Sequence, residues 1–222
     1  MVATIRDMRV SVGRLTHGLV GVISRAGLVF LATISPLGMP AQADLAPEWR
    51  TCFPDSNIDL DQQIKSCTTL INSGRETTHN RSMAYNNRGV AYYSKRDFDR
   101  SIGDYTEAIR LDPRNALAYR NRGFAYQSSG QLDRAMSDYN DAIRLDPTDQ
   151  SSYNSRGTVY EIKDNYDRAI ADFNEAIRLN PKFAMAYHNR GYAYVAKKDY
   201  DQAIADCNEA IRLDPKYAIA YK

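Results

Sequence analysis

Between residues 82 and 217, small and apolar side chains recur at helical spacing in pairs of segments. In the first pair, Tyr85, Gly89 and Tyr92 are spaced i, i+4, i+7 and share one helical face. In the second segment, Ile102 and its apolar neighbours form another such stripe. Pro113 then follows, and proline cannot continue a helix. The pattern therefore predicts a helix-turn-helix unit.

This two-helix pattern occurs four times, and its tyrosines, glycines, alanines and prolines recur every 34 residues. The predicted units are 82–115, 116–149, 150–183 and 184–217. A fixed period of this length is typical of a solenoid, in which each unit buries its apolar face against its neighbours. The first helix of each unit is predicted to begin near the start of the unit. Residues 218–222 match the start of a fifth first helix.

The recurring residues resemble the tetratricopeptide repeat in their 34-residue period and in their Gly, Tyr, Ala and Pro positions. The resemblance implies an all-α fold, a right-handed superhelical solenoid of helix-turn-helix repeats. Ser101 departs once from the alanine pattern. A second departure occurs in every unit, where an arginine stands before the glycine and the family usually has leucine. These arginines are Arg88, Arg122, Arg156 and Arg190.

Four unpaired charges buried in a helix seam would be too costly to recur, so each arginine should have a partner at the same period. One aspartate follows each arginine by 16 residues, on the second helix: Asp104, Asp138, Asp172 and Asp206. We predict a ladder of Arg–Asp ion pairs, within a unit or between neighbours, because arginine makes bidentate contacts with carboxylates. The alternative is that the arginines line a groove and bind an acidic ligand.

The first 43 residues differ in composition from the repeats. Four arginines against one acidic residue precede an uncharged apolar run at 27–39, and the small-residue motif AQA occupies 41–43. This order is typical of a secretory signal peptide, here cleaved after Ala43, and the run is too short to span a membrane. The sequence therefore predicts a periplasmic or secreted protein without a stable membrane span. Alternatives are an uncleaved interfacial helix, a translation start at Met8, and a cytoplasmic protein that retains this segment.

Export would place the cysteines in an oxidising compartment. Cys52 and Cys67 lie before the repeats and form the natural disulfide pair, although two free thiols in a small core are the alternative. Residues 60–71 echo the second-helix pattern, so residues 44–81 are predicted to form a degenerate helical hairpin that caps the array. Cys207 replaces an aromatic residue of the other units and is expected to be a buried hydrophobe.

Composition and motifs argue against several classes of function. The net charge is only +2, which is unlike a dedicated nucleic-acid binder. The three histidines have no second ligand at helical spacing, so neither a metal site nor another cofactor is predicted. No catalytic motif is visible, and the sequence indicates a protein that is not an enzyme. The unprotected C-terminal face of the array would allow weak self-association.

The resemblance implies a groove, lined by the first helices, that binds an extended peptide or a partner helix. The resemblance also implies which first-helix positions point into this groove: Asn86, Val90, Tyr93, Arg120, Phe124, Gln127, Asn154, Thr158, Glu161, His188, Tyr192 and Val195. We therefore expect a non-enzymatic scaffold that binds a protein or peptide partner. The alternative is an accessory protein that binds a glycan or peptide polymer for an envelope enzyme.

Overall fold

The computed structural model describes residues 47–53 and 59–216. Within these ranges the chain forms ten α-helices and no strand. The helices are α1 Pro47–Cys52, α2 Leu60–Asn72, α3 Thr78–Ser94, α4 Phe98–Leu111, α5 Ala116–Ser128, α6 Leu132–Leu145, α7 Gln150–Ile162, α8 Tyr166–Leu179, α9 Ala184–Ala196 and α10 Tyr200–Leu213. The predicted signal peptide and the predicted fifth first helix, residues 218–222, lie outside the described residues.

Each repeat is a helical hairpin: α3 with α4, α5 with α6, α7 with α8, and α9 with α10. Within each hairpin, one residue with a left-handed backbone conformation lies where the chain reverses direction. It is Gly130 in the second repeat, and Arg96, Asp164 and Lys198 in the others, with φ between 57° and 79°. A polar residue follows, and in the first repeat Asp97 caps α4 by accepting a hydrogen bond from the Arg100 amide.

The boundaries between repeats follow the prolines, with one exception. Asn115 and Asp149 cap α5 and α7 directly after the proline turns. Helix α3 instead begins at Thr78, before the unit boundary predicted at residue 82. No proline occurs in residues 72–77, directly before α3, and the helix is capped by Thr77, whose hydroxyl accepts a hydrogen bond from the Asn80 amide at 3.1 Å.

Close packing inside each repeat depends on the glycine of its first helix. The ring of Tyr139 lies against Gly123, and a Cβ atom there would approach the ring to 2.7 Å. Tyr105 and Phe173 cover the glycines of their own repeats in the same way. The fourth repeat has Cys207 at this position, and its side chain leaves more space over the glycine.

Two features shape the array. The first helices of successive repeats contact each other, whereas the second helices of neighbouring repeats lie farther apart in the described part of the chain. The first helices therefore line the concave side. At the N-terminal end, a disulfide between Cys52 and Cys67 joins α1 to α2, and Trp49 packs with them in a small core that also includes Ala84 of α3. Of the helices described, none is long and apolar enough to cross a membrane.

Candidate functional site

The four repeat arginines form bidentate ion pairs within their own repeats. In the second repeat, Nε and Nη2 of Arg122 donate to the two carboxylate oxygens of Asp138, both at 2.8 Å. The other three pairs have the same geometry, with distances between 2.6 and 2.8 Å. Burial raises the pKa of Asp104, whereas its hydrogen bonds with Arg88 stabilise the charged pair and raise the pKa of that arginine.

The remaining nitrogen of each arginine connects its repeat to the preceding helical hairpin. Nη1 of Arg122 donates to Thr106 Oγ1 at 3.1 Å, and Nη1 of Arg156 donates to Asn140 Oδ1 at 2.8 Å. Arg88 and Arg190 make the equivalent bonds. The guanidinium carbons also lie 5.4 to 6.0 Å from the centres of flanking tyrosine rings. Because all three nitrogens of each arginine are bonded, this geometry favours a structural role over binding of an acidic ligand.

The predicted groove residues all lie on the first helices, but the structure divides them into two groups. Asn86 and Asn154 are buried, with 3% and 5% of their surfaces exposed. The others are half-buried and partly accessible: Val90, Tyr93, Arg120, Phe124, Gln127, Thr158, Glu161, His188, Tyr192 and Val195. The accessible part of the concave face therefore consists mainly of aromatic, aliphatic and uncharged polar side chains.

The two buried asparagines join consecutive first helices. Asn121 donates to Asn86 Oδ1, and Asn189 donates to Asn154 Oδ1, both at 3.0 Å. Asn87 makes the corresponding bond to the backbone carbonyl of Cys52 at 3.1 Å, which continues the row into the N-terminal cap. Sequence reasoning missed these donors, although the asparagine that directly precedes the arginine in three repeats was a visible signal.

The N-terminal half of the groove contains hydrogen-bonded aromatic residues and a paired arginine. Phe124 meets Tyr139 edge to face at 5.8 Å, and the Tyr139 hydroxyl donates to Gln127 Oε1 at 2.7 Å. Nη1 of Arg120 donates to both carboxylate oxygens of Asp149, at 2.8 and 2.9 Å. This half of the groove therefore has its charges balanced.

The C-terminal half of the groove contains two titratable groups with shifted pKa values. Burial raises the pKa of Glu161 to about 7 and lowers the pKa of His188 to about 4. His188 is therefore neutral at neutral pH and meets Tyr192 edge to face at 4.9 Å. Among residues 47–53 and 59–216, no basic side chain forms an ion pair or hydrogen bond with Glu161.

Known families match the repeat region of the chain. Tetratricopeptide repeat models match residues 89–130, 116–149, 138–171 and 156–218. A comparison with curated protein sequences found no match.

Solved structures of tetratricopeptide proteins share the fold. MamA is 22% identical with a TM-score of 0.64, and the alignment covers 78% of this chain and 98% of MamA. YrrB, described as a TPR protein with an unusual peptide-binding site, is 20% identical with a TM-score of 0.57 and coverages of 72% and 81%. The TPR domain of Arabidopsis OM64 is 29% identical with a TM-score of 0.51 and coverages of 53% and 97%.

Proposed function

Because residues 89–218 are tetratricopeptide repeats, we propose that this chain is a non-enzymatic scaffold that binds a partner peptide or helix along its first helices. Proteins with these repeats are generally protein-interaction scaffolds. The observation that supports the concave face as the binding surface is its partly accessible row of side chains, which includes Tyr93, Phe124 and Tyr192. Aromatic side chains supply large contact areas at protein interfaces.

The second argument is the contrast between the polar residues that connect the repeats and the residues that line the groove. The side chains of the arginine pairs and the asparagine bridges form hydrogen bonds within the chain, so they hold the repeats in register. The residues between them differ from repeat to repeat, as at Val90, Phe124, Thr158 and Tyr192. A regular frame with a variable lining is suited to a ligand whose side chains change along its length.

The test is selection of random 12-residue peptides by display on the whole chain. The groove variant Val90→Arg/Thr158→Arg places two long cations on the concave face. Its matched control, Gly103→Arg/Ser137→Arg, places two on exposed positions of the second helices, at Gly103 and Ser137. Circular dichroism first establishes equal helicity.

We expect selected peptides to bind the wild-type chain and the control equally and to lose affinity for the groove variant. Binding that survives in the groove variant would contradict the assignment to the concave face. Failure to select any peptide, with binding of a purified glycan polymer instead, would favour the accessory function.

We propose further that residues 1–43 are an export signal and that the protein works in the periplasm or outside the cell. The buried disulfide between Cys52 and Cys67 supports this location, since such bonds persist in oxidising compartments. Mass spectrometry of the protein from fractionated cells is expected to find a chain that begins at Asp44 in the exported fraction. A chain that retains its first residues in the cytoplasm would contradict the proposal.

A further inference from the structure

Glu161 is the one predicted groove residue with an acidic side chain, and it is half-buried. The corresponding positions in the other repeats are Tyr93, Gln127 and Val195, none of which is charged. No hydrogen bond or ion pair of the Glu161 carboxylate occurs within residues 47–53 and 59–216. A carboxylate that loses water on burial is costly unless a charge or a hydrogen bond compensates it.

Among residues 47–53 and 59–216, no cation contributes to the shifted pKa of Glu161, which is raised by burial. Nδ2 of Asn189 lies 3.5 Å from Thr158 Oγ1, which brings α9 against α7, and Tyr192 and Glu161 follow three residues further along these two helices. The pKa of the Tyr192 phenol is raised by burial, then by Cys207 and by Glu161. The Tyr166 phenol also senses Glu161, after the larger effects of its hydrogen bond to Asp164 and of burial, and has a pKa of about 12. His188, edge to face with Tyr192, is held neutral at neutral pH by burial.

Two other carboxylates of the array, Glu175 and Asp149, are paired with arginines. Glu175, on the second helix of the same repeat, accepts hydrogen bonds from Nε and Nη2 of Arg178 at 2.9 and 2.6 Å. Asp149, the N-cap residue of α7, forms an ion pair with the predicted groove residue Arg120. Glu161 thus differs from both in combining partial burial and a position on the concave face with no cationic partner in the part of the chain that the structure describes.

We propose that Glu161, together with the aromatic ring of Tyr192, forms a subsite for a cationic side chain, lysine or arginine, of the bound partner. The inference rests on the proposed groove function and specifies its ligand chemistry. The carboxylate supplies the counter-ion, and the face of a tyrosine ring attracts a cation through its quadrupole. The partner segment therefore carries a basic residue at the point where it passes the third and fourth repeats.

The test uses the same display selection with two isosteric variants. Glu161→Gln removes the charge of the subsite, and Glu175→Gln removes the exposed charge of the same repeat. We expect peptides selected on the wild-type chain to share a lysine or arginine at one position and to bind Glu161→Gln about tenfold more weakly. Glu175→Gln should bind them with unchanged affinity. Peptides without a shared basic residue, or with equal affinity for Glu161→Gln, would overturn the inference while leaving the groove function in place.

A second measurement decides the question if no peptide is selected, which would count against the groove function itself. The probe is then N-acetyl-lysine methylamide, followed by carbon NMR of the Glu161 carboxyl group, with the norleucine analogue as an uncharged control. A change in the chemical shift of the Glu161 carboxyl carbon that saturates with the lysine compound, and does not occur with the norleucine analogue, would support the cation subsite. No difference between the two compounds would overturn it.

Discussion

The glycine of the first helix is expected to respond to alanine substitution differently in the second and fourth repeats. At Gly123, the new Cβ atom would lie 2.7 Å from Cε1 and 2.9 Å from Cδ1 of Tyr139. Tyr139 has no exposed surface and donates its hydroxyl proton to Gln127, so the ring cannot withdraw freely. At Gly191, the nearest atom is the flexible side-chain sulfur of Cys207, at 3.3 Å.

The two substitutions share one favourable effect, which cancels when they are compared. Replacement of glycine by alanine in a helix interior stabilises the helix by about 1 kcal/mol. Overpacking costs about 1–3 kcal/mol. This cost is expected at Gly123, where the new Cβ atom meets the Tyr139 ring, and not at Gly191. Gly123→Ala should therefore lower the free energy of unfolding by up to about 2 kcal/mol. Gly191→Ala should leave the free energy unchanged or raise it slightly.

Urea unfolding followed by circular dichroism measures both variants, with equal m-values required for the comparison. The second repeat can also be given the glycine–cysteine pair of the fourth repeat by the substitution Tyr139→Cys. Gly123→Ala should cost less in a Tyr139→Cys background than in the wild-type chain, because the ring that blocks the methyl group is absent. Equal effects of Gly123→Ala and Gly191→Ala, or no relief by Tyr139→Cys, would refute the steric explanation.

Three further predictions concern other contacts. Arg122→Leu should lower the free energy of unfolding by about 3 kcal/mol, because it leaves the buried carboxylate of Asp138 without its cation; a loss no larger than that of Arg110→Leu, an exposed arginine, would contradict this. Glu161→Gln should gain stability relative to the wild-type chain as pH rises from about 4.5 to about 7, because the native carboxyl group holds its proton longer than the unfolded one. Urea midpoints at several pH values test this, and a constant difference would contradict it. Lys198→Gly should raise the thermal midpoint, since the residue has φ of 64° and glycine adopts this region without strain; an unchanged or lower midpoint would count against that reason.

The sequence alone determined the fold class and the repeat unit. A 34-residue period of paired helical patterns with proline after each second helix predicts a stack of similar hairpins, because every unit must bury the same face. The recurrence of arginine and aspartate at a constant separation of 16 residues also identified the ion pairs. A buried charge needs a partner, and an aspartate recurs 16 residues after every one of these arginines.

The tertiary structure decided which neighbours each side chain meets. The period could not reveal that Nη1 of Arg122 reaches the preceding repeat, or that the Asn121 side chain donates a hydrogen bond to Asn86. Both contacts depend on how far one hairpin is rotated against the next. Nor could it show that Glu161 has lost water without gaining a cation in the described part of the chain. The burial of a side chain depends on contacts with residues distant in sequence. A repeat pattern shows only which residues occupy the same position in successive units.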